Sequence, residues 1–218
     1  MGAVIGEILP LAVGVAVSPI PIIAAILMLF SERAGSTSSG FLIGWILGIV
    51  VATAIFTALA GTLHSGGEPS AVASWIKIGL GVLLLLVGAL QWRGRGGHHD
   101  TPKWMTAIDS FTFPKALGLG FLLSAVNPKN LIMAAGAGVF IGLVGLSVGG
   151  EAAAIAVFTA IAASTVAIPV LGYLVAAKKM RGPLDSLKKW LQDNNATVMA
   201  TLILVIGVVL VGKGVSGL

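Results

Sequence analysis

The sequence predicts an all-α integral membrane protein, with six transmembrane helices arranged as a 3+3 inverted repeat whose first and fourth helices are broken by proline. Three observations carry this. Of the 218 residues, 57% are hydrophobic and only 10% are charged, with a mean hydropathy of +1.04; a soluble domain of this length cannot hide so much apolar surface. The apolar residues come in runs of about 20, the length of a membrane-spanning helix, and not in the short alternating segments of a membrane β-barrel. Two of the runs are over-long, and each is interrupted by proline beside polar residues: Ser18-Pro19-Ile20-Pro21 and, half a chain later, Asn127-Pro128-Lys129-Asn130. Proline donates no backbone hydrogen bond, so a membrane helix is expected to break at both places and leave polar groups free inside it.

The first span is expected from Gly2 to Phe30, uncharged after Glu7. At ~1.5 Å per residue it overshoots a hydrocarbon core of ~30 Å, so it is tilted, broken or re-entrant, with Ser18-Pro19-Ile20-Pro21 as the break. Its beginning lacks the basic start and small-residue cleavage site of a secretory signal, so it is read as a span. Ser31 to Ser39 reads as a polar turn. Span 2, Gly40 to Leu63, carries Gly40, Gly44 and Gly48, a small-residue stripe that lets another helix approach closely, within one subunit or across a homodimer. After a polar connection over His64 to Ser70, span 3 covers Val72 to Trp92. Trp75 and Trp92 serve as interfacial anchors, and Lys77 is long enough to reach the headgroups.

The connection from Arg93 to Phe113 is Gly-rich and holds His98-His99-Asp100; these read as solvated residues and not as a metal site. Span 4, Pro114 to Val148, contains the second break. Span 5, Ala152 to Ala177, is uncharged but includes Ser164, Thr165 and Pro169, the hydroxyls either satisfying carbonyls that the proline frees or facing a site. From Lys178 to Asn194 the chain turns basic and amphipathic. Leu184, Leu187 and Leu191 recur at helical spacing beside Trp190, and Pro183 suits a first helical position, so a helix near 183–193 is expected to lie flat on the membrane surface. Span 6 runs from Ala196 to Val211. The chain thus divides into a first three-helix repeat (1–92), a cytoplasmic linker (93–113) and a second repeat (114–218).

With this count, the loops after spans 1, 3 and 5 share one side and hold ten of the thirteen Lys and Arg residues. The positive-inside rule puts them in the cytoplasm and both termini outside; the net charge of +5 is thereby a matter of orientation, not of nucleic-acid binding. An odd number of spans per half inverts the second half relative to the first, which is how transporters build a site at the midplane from matching interrupted helices.

Candidate substrate-binding residues are therefore Ser18, Pro19, Pro21, Asn127, Pro128, Lys129 and Asn130, with Ser164 and Thr165. Lys129 is the one basic residue placed well inside an apolar run. A charge there costs at least ~2.5–3.5 kcal/mol on insertion scales, and no span core offers an acidic partner, so an anionic substrate is the simplest one. The alternative is that Leu131 to Val148 alone makes span 4 and Lys129 sits at the cytoplasmic headgroups. Cation transport is disfavoured, because hard cations want carboxylates that the span cores lack. The absence of cysteine excludes a thiol redox relay, and histidines confined to loops leave no base for a membrane-embedded hydrolase. No enzyme activity, cofactor or metal is expected.

The Pro-x-Pro break at Pro19 and Pro21, paired with Asn127-Pro128-Lys129, resembles the lysine exporter superfamily. Within it the chain is most similar to the actinobacterial GAP family, the glycopeptidolipid and sulfolipid addressing proteins. The resemblance implies a bacterial plasma membrane, export from the cytoplasmic side and, for this branch, lipid or glycolipid substrates. Ile20 stands where the amino-acid exporters have glycine, which favours a bulkier apolar ligand. The expected function is a transporter, exporter or flippase for an anionic lipid or lipid-linked amphiphile. The alternatives are a proton-coupled exporter of a small polar solute such as an amino acid, or a membrane scaffold for glycolipid assembly.

Overall fold

A computed structural model describes residues 1–62, 70–94, 105 and 107–218, and shows helices with no strand among them. Three helices are long and apolar enough to cross a membrane, or five candidate spans if each of two bent helix pairs counts as one. The first bent pair is α1 (Gly2–Ala16) and α2 (Pro19–Phe30), which meet at 51°. Next come α3 (Ala34–Gly61) and α4 (Ser70–Gly94). A single 3₁₀ turn at Ile108–Ser110 precedes the second bent pair, α5 (Phe113–Ala125) and α6 (Pro128–Leu143), at 64°. The chain closes with α7 (Val148–Val215).

The α7 helix explains why the span count differs from six. Its 68 residues form one helical run interrupted only at Ala176, whose backbone (φ −140°, ψ 48°) is not helical. Straight, it would be ~100 Å long, more than three times the hydrocarbon thickness. The expected surface helix near 183–193 is therefore not a separate element, and Pro183 lies inside the helix instead of at its start. Its apolar face is also divided. Leu184 and Leu191 are buried in the protein, whereas Leu187 and Trp190 are exposed. Arg181 and Lys188 stack on the Phe30 ring at 5.9 and 5.3 Å, and Phe30 meets Tyr173, so this segment is fastened to the end of α2.

The stretch expected as a polar turn, Ser31 to Ser39, is mostly helix: α3 starts at Ala34. The hydroxyls make this possible by bonding to carbonyls one turn back, Thr37 to Arg33 and Ser38 to Ala34, while Ser31 and Thr37 also cap the Met28 carbonyl at the end of α2. Polar composition here marks a tight α2–α3 corner, not a loop.

Glycines set how the helices approach. The Gly40/Gly44/Gly48 stripe faces α5 within the same chain: a Cβ on Gly40 would lie 2.7 Å from the Phe113 carbonyl, one on Gly44 would overlap Leu117, and one on Gly48 would overlap Ser124. Gly120 of α5 answers it against Phe41 and Trp45. Gly138 and Gly142 of α6 press on Thr53 and Thr57 in the same way, so α3 packs on both members of the second bent pair. The α7 helix in turn packs on α1 and α2, and its last part runs along α4, where Gly88, Gly81 and Ile78 meet Ile203, Gly207 and Gly214 in reverse order.

At the ends of α1, α4 and α7, Glu7 pairs with Lys77 (3.1 Å) and Lys213 (3.4 Å), and Lys213 also donates to the Gly6 carbonyl. Lys77 thus has a carboxylate partner and also lies over the Phe140 ring, where the sequence suggested only a side chain reaching for headgroups. Trp75 and Trp92 are exposed near the two ends of α4, as expected of anchors. His98, His99 and Asp100 lie outside the described residues, as does most of the expected linker.

Candidate functional site: the two helix breaks

Each break is built alike. A short polar residue in extended conformation, Ser18 (ψ 111°) or Asn127 (ψ 121°), precedes a proline at the first position of the next helix. Proline is well suited there because a first-turn N–H has no helical partner. Asn127 caps α6 in the ordinary way, its side chain accepting from the Lys129 N–H at 3.1 Å. Ser18 makes no such cap, and its hydroxyl is free to reach across the molecule.

It reaches the other break. Lys129 Nζ donates to Ser18 Oγ at 2.8 Å, Ser18 Oγ donates to Asn130 Oδ1 at 3.0 Å, and Asn130 Nδ2 donates to the Leu123 carbonyl at 2.8 Å. The last bond fixes the direction of the others. A backbone carbonyl only accepts, so the Asn130 amide nitrogen must face Leu123 and its oxygen must face Ser18. Leu123 is short of a helical partner because the Asn127 N–H bonds to Leu122 instead. The break in α5–α6 thus creates the acceptor that orients Asn130.

Ser18, Lys129 and Asn130 are all buried, Lys129 at 5% exposure. Its ammonium touches Ser18 and, at 3.6 Å, Met199 Sδ from α7, and it takes part in none of the ion pairs among the described residues. A sulfur and one hydroxyl are weak compensation for a desolvated cation.

Other expected site residues fall into place around this chain of bonds. Pro19 and Pro21 are buried and withhold donors from the Val15 and Val17 carbonyls; Pro128 is exposed and shapes the turn. Thr165 donates to the Ala16 carbonyl, which the break between α1 and α2 exposes, so it ties α7 to the first break. Ser164 does not join the site: it bonds to the Ile161 carbonyl in its own helix at 2.7 Å, and this is not the carbonyl that Pro169 leaves without a donor. Met199 was missed, and a methionine in an apolar run gives no sequence signal that could have revealed it.

Fold and site together define a class, a multi-pass helical membrane protein in which two broken helices meet over a buried lysine. The sequence model of the family described as Sap, sulfolipid-1-addressing protein, matches residues 8–216, and the chain belongs to that family. This match, which spans both breaks, bears out the resemblance drawn from them to the sulfolipid addressing proteins. No curated protein and no solved structure matches the chain.

Proposed function

We propose that this chain is a transporter, acting as an exporter or flippase, for an anionic lipid or lipid-linked amphiphile, and that Lys129 receives the anion. One observation carries the reading: the ammonium is buried where both breaks meet and takes part in none of the ion pairs among the described residues. The starts of α2 and α6 add the positive ends of their dipoles to the same place. Ser18 and Asn130 hold the lysine in position. No bond-making chemistry is assigned to the site, because the Ser18 hydroxyl is engaged by an ammonium and an amide and not by a base. The family's description, sulfolipid addressing, fits a lipid that bears an anion.

The architecture that serves this function is an inverted repeat of six spans, with α7 contributing two by folding at Ala176. Support comes from reciprocal packing: α3 of the first half lies on the bent pair of the second, while α7 of the second half lies on the bent pair of the first. The clustering of basic residues on the Arg33, Arg93 and Lys178–Lys189 side supports a cytoplasmic location for that side and an outer one for the Glu7 cluster, in a bacterial plasma membrane. Pairing interrupted helices from inverted repeats at one site is a known basis for alternating access.

The test is movement of fluorescent phosphatidylglycerol across proteoliposomes. Wild-type protein is expected to accelerate it over protein-free vesicles, and Lys129→Ala is expected to lower the rate at least about tenfold, equivalent to ~1.4 kcal/mol. Equal rates for the two proteins at equal reconstitution would refute the role given to Lys129.

A further inference from the structure

The last apolar stretch of α7 opens with Asn194-Asn195, and the two amides behave differently. Asn194 Nδ2 donates to the Trp190 carbonyl of its own helix at 2.9 Å. Asn195 Oδ1 is buried and has no hydrogen-bond partner among the described residues. A carbonyl oxygen withdrawn from water and left bare is uncommon and costs stability, so it calls for a reason.

Its position supplies one. Asn195 precedes Met199 by four residues on an uninterrupted helical stretch, so the two side chains stand one turn apart on one face. Met199 is the α7 residue in contact with Lys129 Nζ. One face of α7 therefore touches the lysine and, a turn closer to Lys188 and Lys189, presents an unused acceptor.

We propose that Asn195 is a second recognition residue of the Lys129 site, its Oδ1 accepting a hydrogen bond from a hydroxyl of the headgroup whose anion Lys129 holds. This rests on the reading of Lys129 as an anion site. A hydroxyl fits better than an ammonium, because a second cation so near Lys129 would be repelled. The substrate class narrows accordingly to anionic amphiphiles with a free hydroxyl in the headgroup that carries the charge. Between them the two residues read charge and hydroxylation separately, so a lipid with the right anion and no hydroxyl enters the site but leaves Asn195 unsatisfied.

The experiment compares fluorescent phosphatidylglycerol with phosphatidylmethanol, which has the same phosphate charge and no headgroup hydroxyl, in proteoliposomes of wild type, Asn195→Leu and Lys129→Ala. Wild type is expected to move phosphatidylglycerol about tenfold faster than phosphatidylmethanol, since a site made to hydrogen-bond a hydroxyl discriminates against its absence. Asn195→Leu should move both lipids at the slower rate, and Lys129→Ala should slow both. A purely structural role for Asn195 would change the two rates alike and keep their ratio. Retention of the phosphatidylglycerol preference in Asn195→Leu, or no preference in wild type, overturns the role of Asn195 and leaves Lys129 standing as long as Lys129→Ala slows both lipids. Failure of wild type to move either lipid faster than protein-free vesicles overturns the transport reading and this inference with it.

Discussion

Ser18 has the most consequential side chain for its size. One hydroxyl accepts from Lys129 and donates to Asn130, and these bonds join residues more than a hundred positions apart. In Ser18→Ala both partners stay buried and lose that contact, and leaving a buried polar group unmatched costs about 1–3 kcal/mol. The expected outcome is a thermal unfolding midpoint in detergent lowered by several degrees, checked against wild type. A midpoint unchanged within error would mean that water or a shifted side chain replaces the hydroxyl. At this scale the sequence was informative where chemistry is local: prolines beside polar residues pointed to Ser18, Asn127, Lys129 and Asn130 without any coordinates. It was silent on Met199 and Asn195, whose relevance depends on which face α7 turns toward Lys129. Ser164 and Thr165 show the same limit, because adjacent hydroxyls differ by a ~100° rotation around the helix and only one can reach the break.

Among elements, the breaks were legible and the boundaries were not. Pro19 and Pro128 each start a helix, a position that suits a residue without an N–H. Ser31 to Ser39 misled because hydroxyls that usually mark turns can instead fold back on helix carbonyls, which they do from Thr37 to Ser39. The surface helix expected near 183–193 also has no end there, because the helix passes through Asn194 and Asn195. The glycine stripe on α3 was recognised as a packing face, and its partner proves to be α5 of the same chain. Gly44→Val places a branched side chain into the Leu117 backbone, which cannot move without displacing α5 and, through it, the second break. Overpacking of this kind costs about 1–3 kcal/mol or more. Gly44→Val is therefore expected to reduce both the unfolding temperature and the yield of folded protein on size-exclusion chromatography, whereas Gly35→Val, at an open position, should leave both near wild type.

For the whole molecule, the account rests on packing between halves. The polar interior at the breaks is bounded on one side by the Glu7, Lys77 and Lys213 cluster and on the other by the basic segment fastened to Phe30. The Glu7 pairs are partly exposed, so they contribute about 0–1 kcal/mol each and align α1, α4 and α7 more than they stabilise them. Apolar content and run length made the membrane class legible from the sequence. The path of α7 was not, since a helix of 68 residues with one irregular residue at Ala176 has the same composition as two spans and a connection. What would make the molecule a transporter is that two distant breaks close on each other around Lys129. The chain contains no cysteine, so a single engineered pair can be read without background. In the double variant Ser18→Cys/Asn130→Cys, whose native side chains lie 3.0 Å apart, iodine oxidation in native membrane vesicles should give a chain cross-linked within itself, detected by a reducible shift in gel mobility absent from either single variant. The contradictory result would be two thiols that each react with a membrane-permeable maleimide and never with one another.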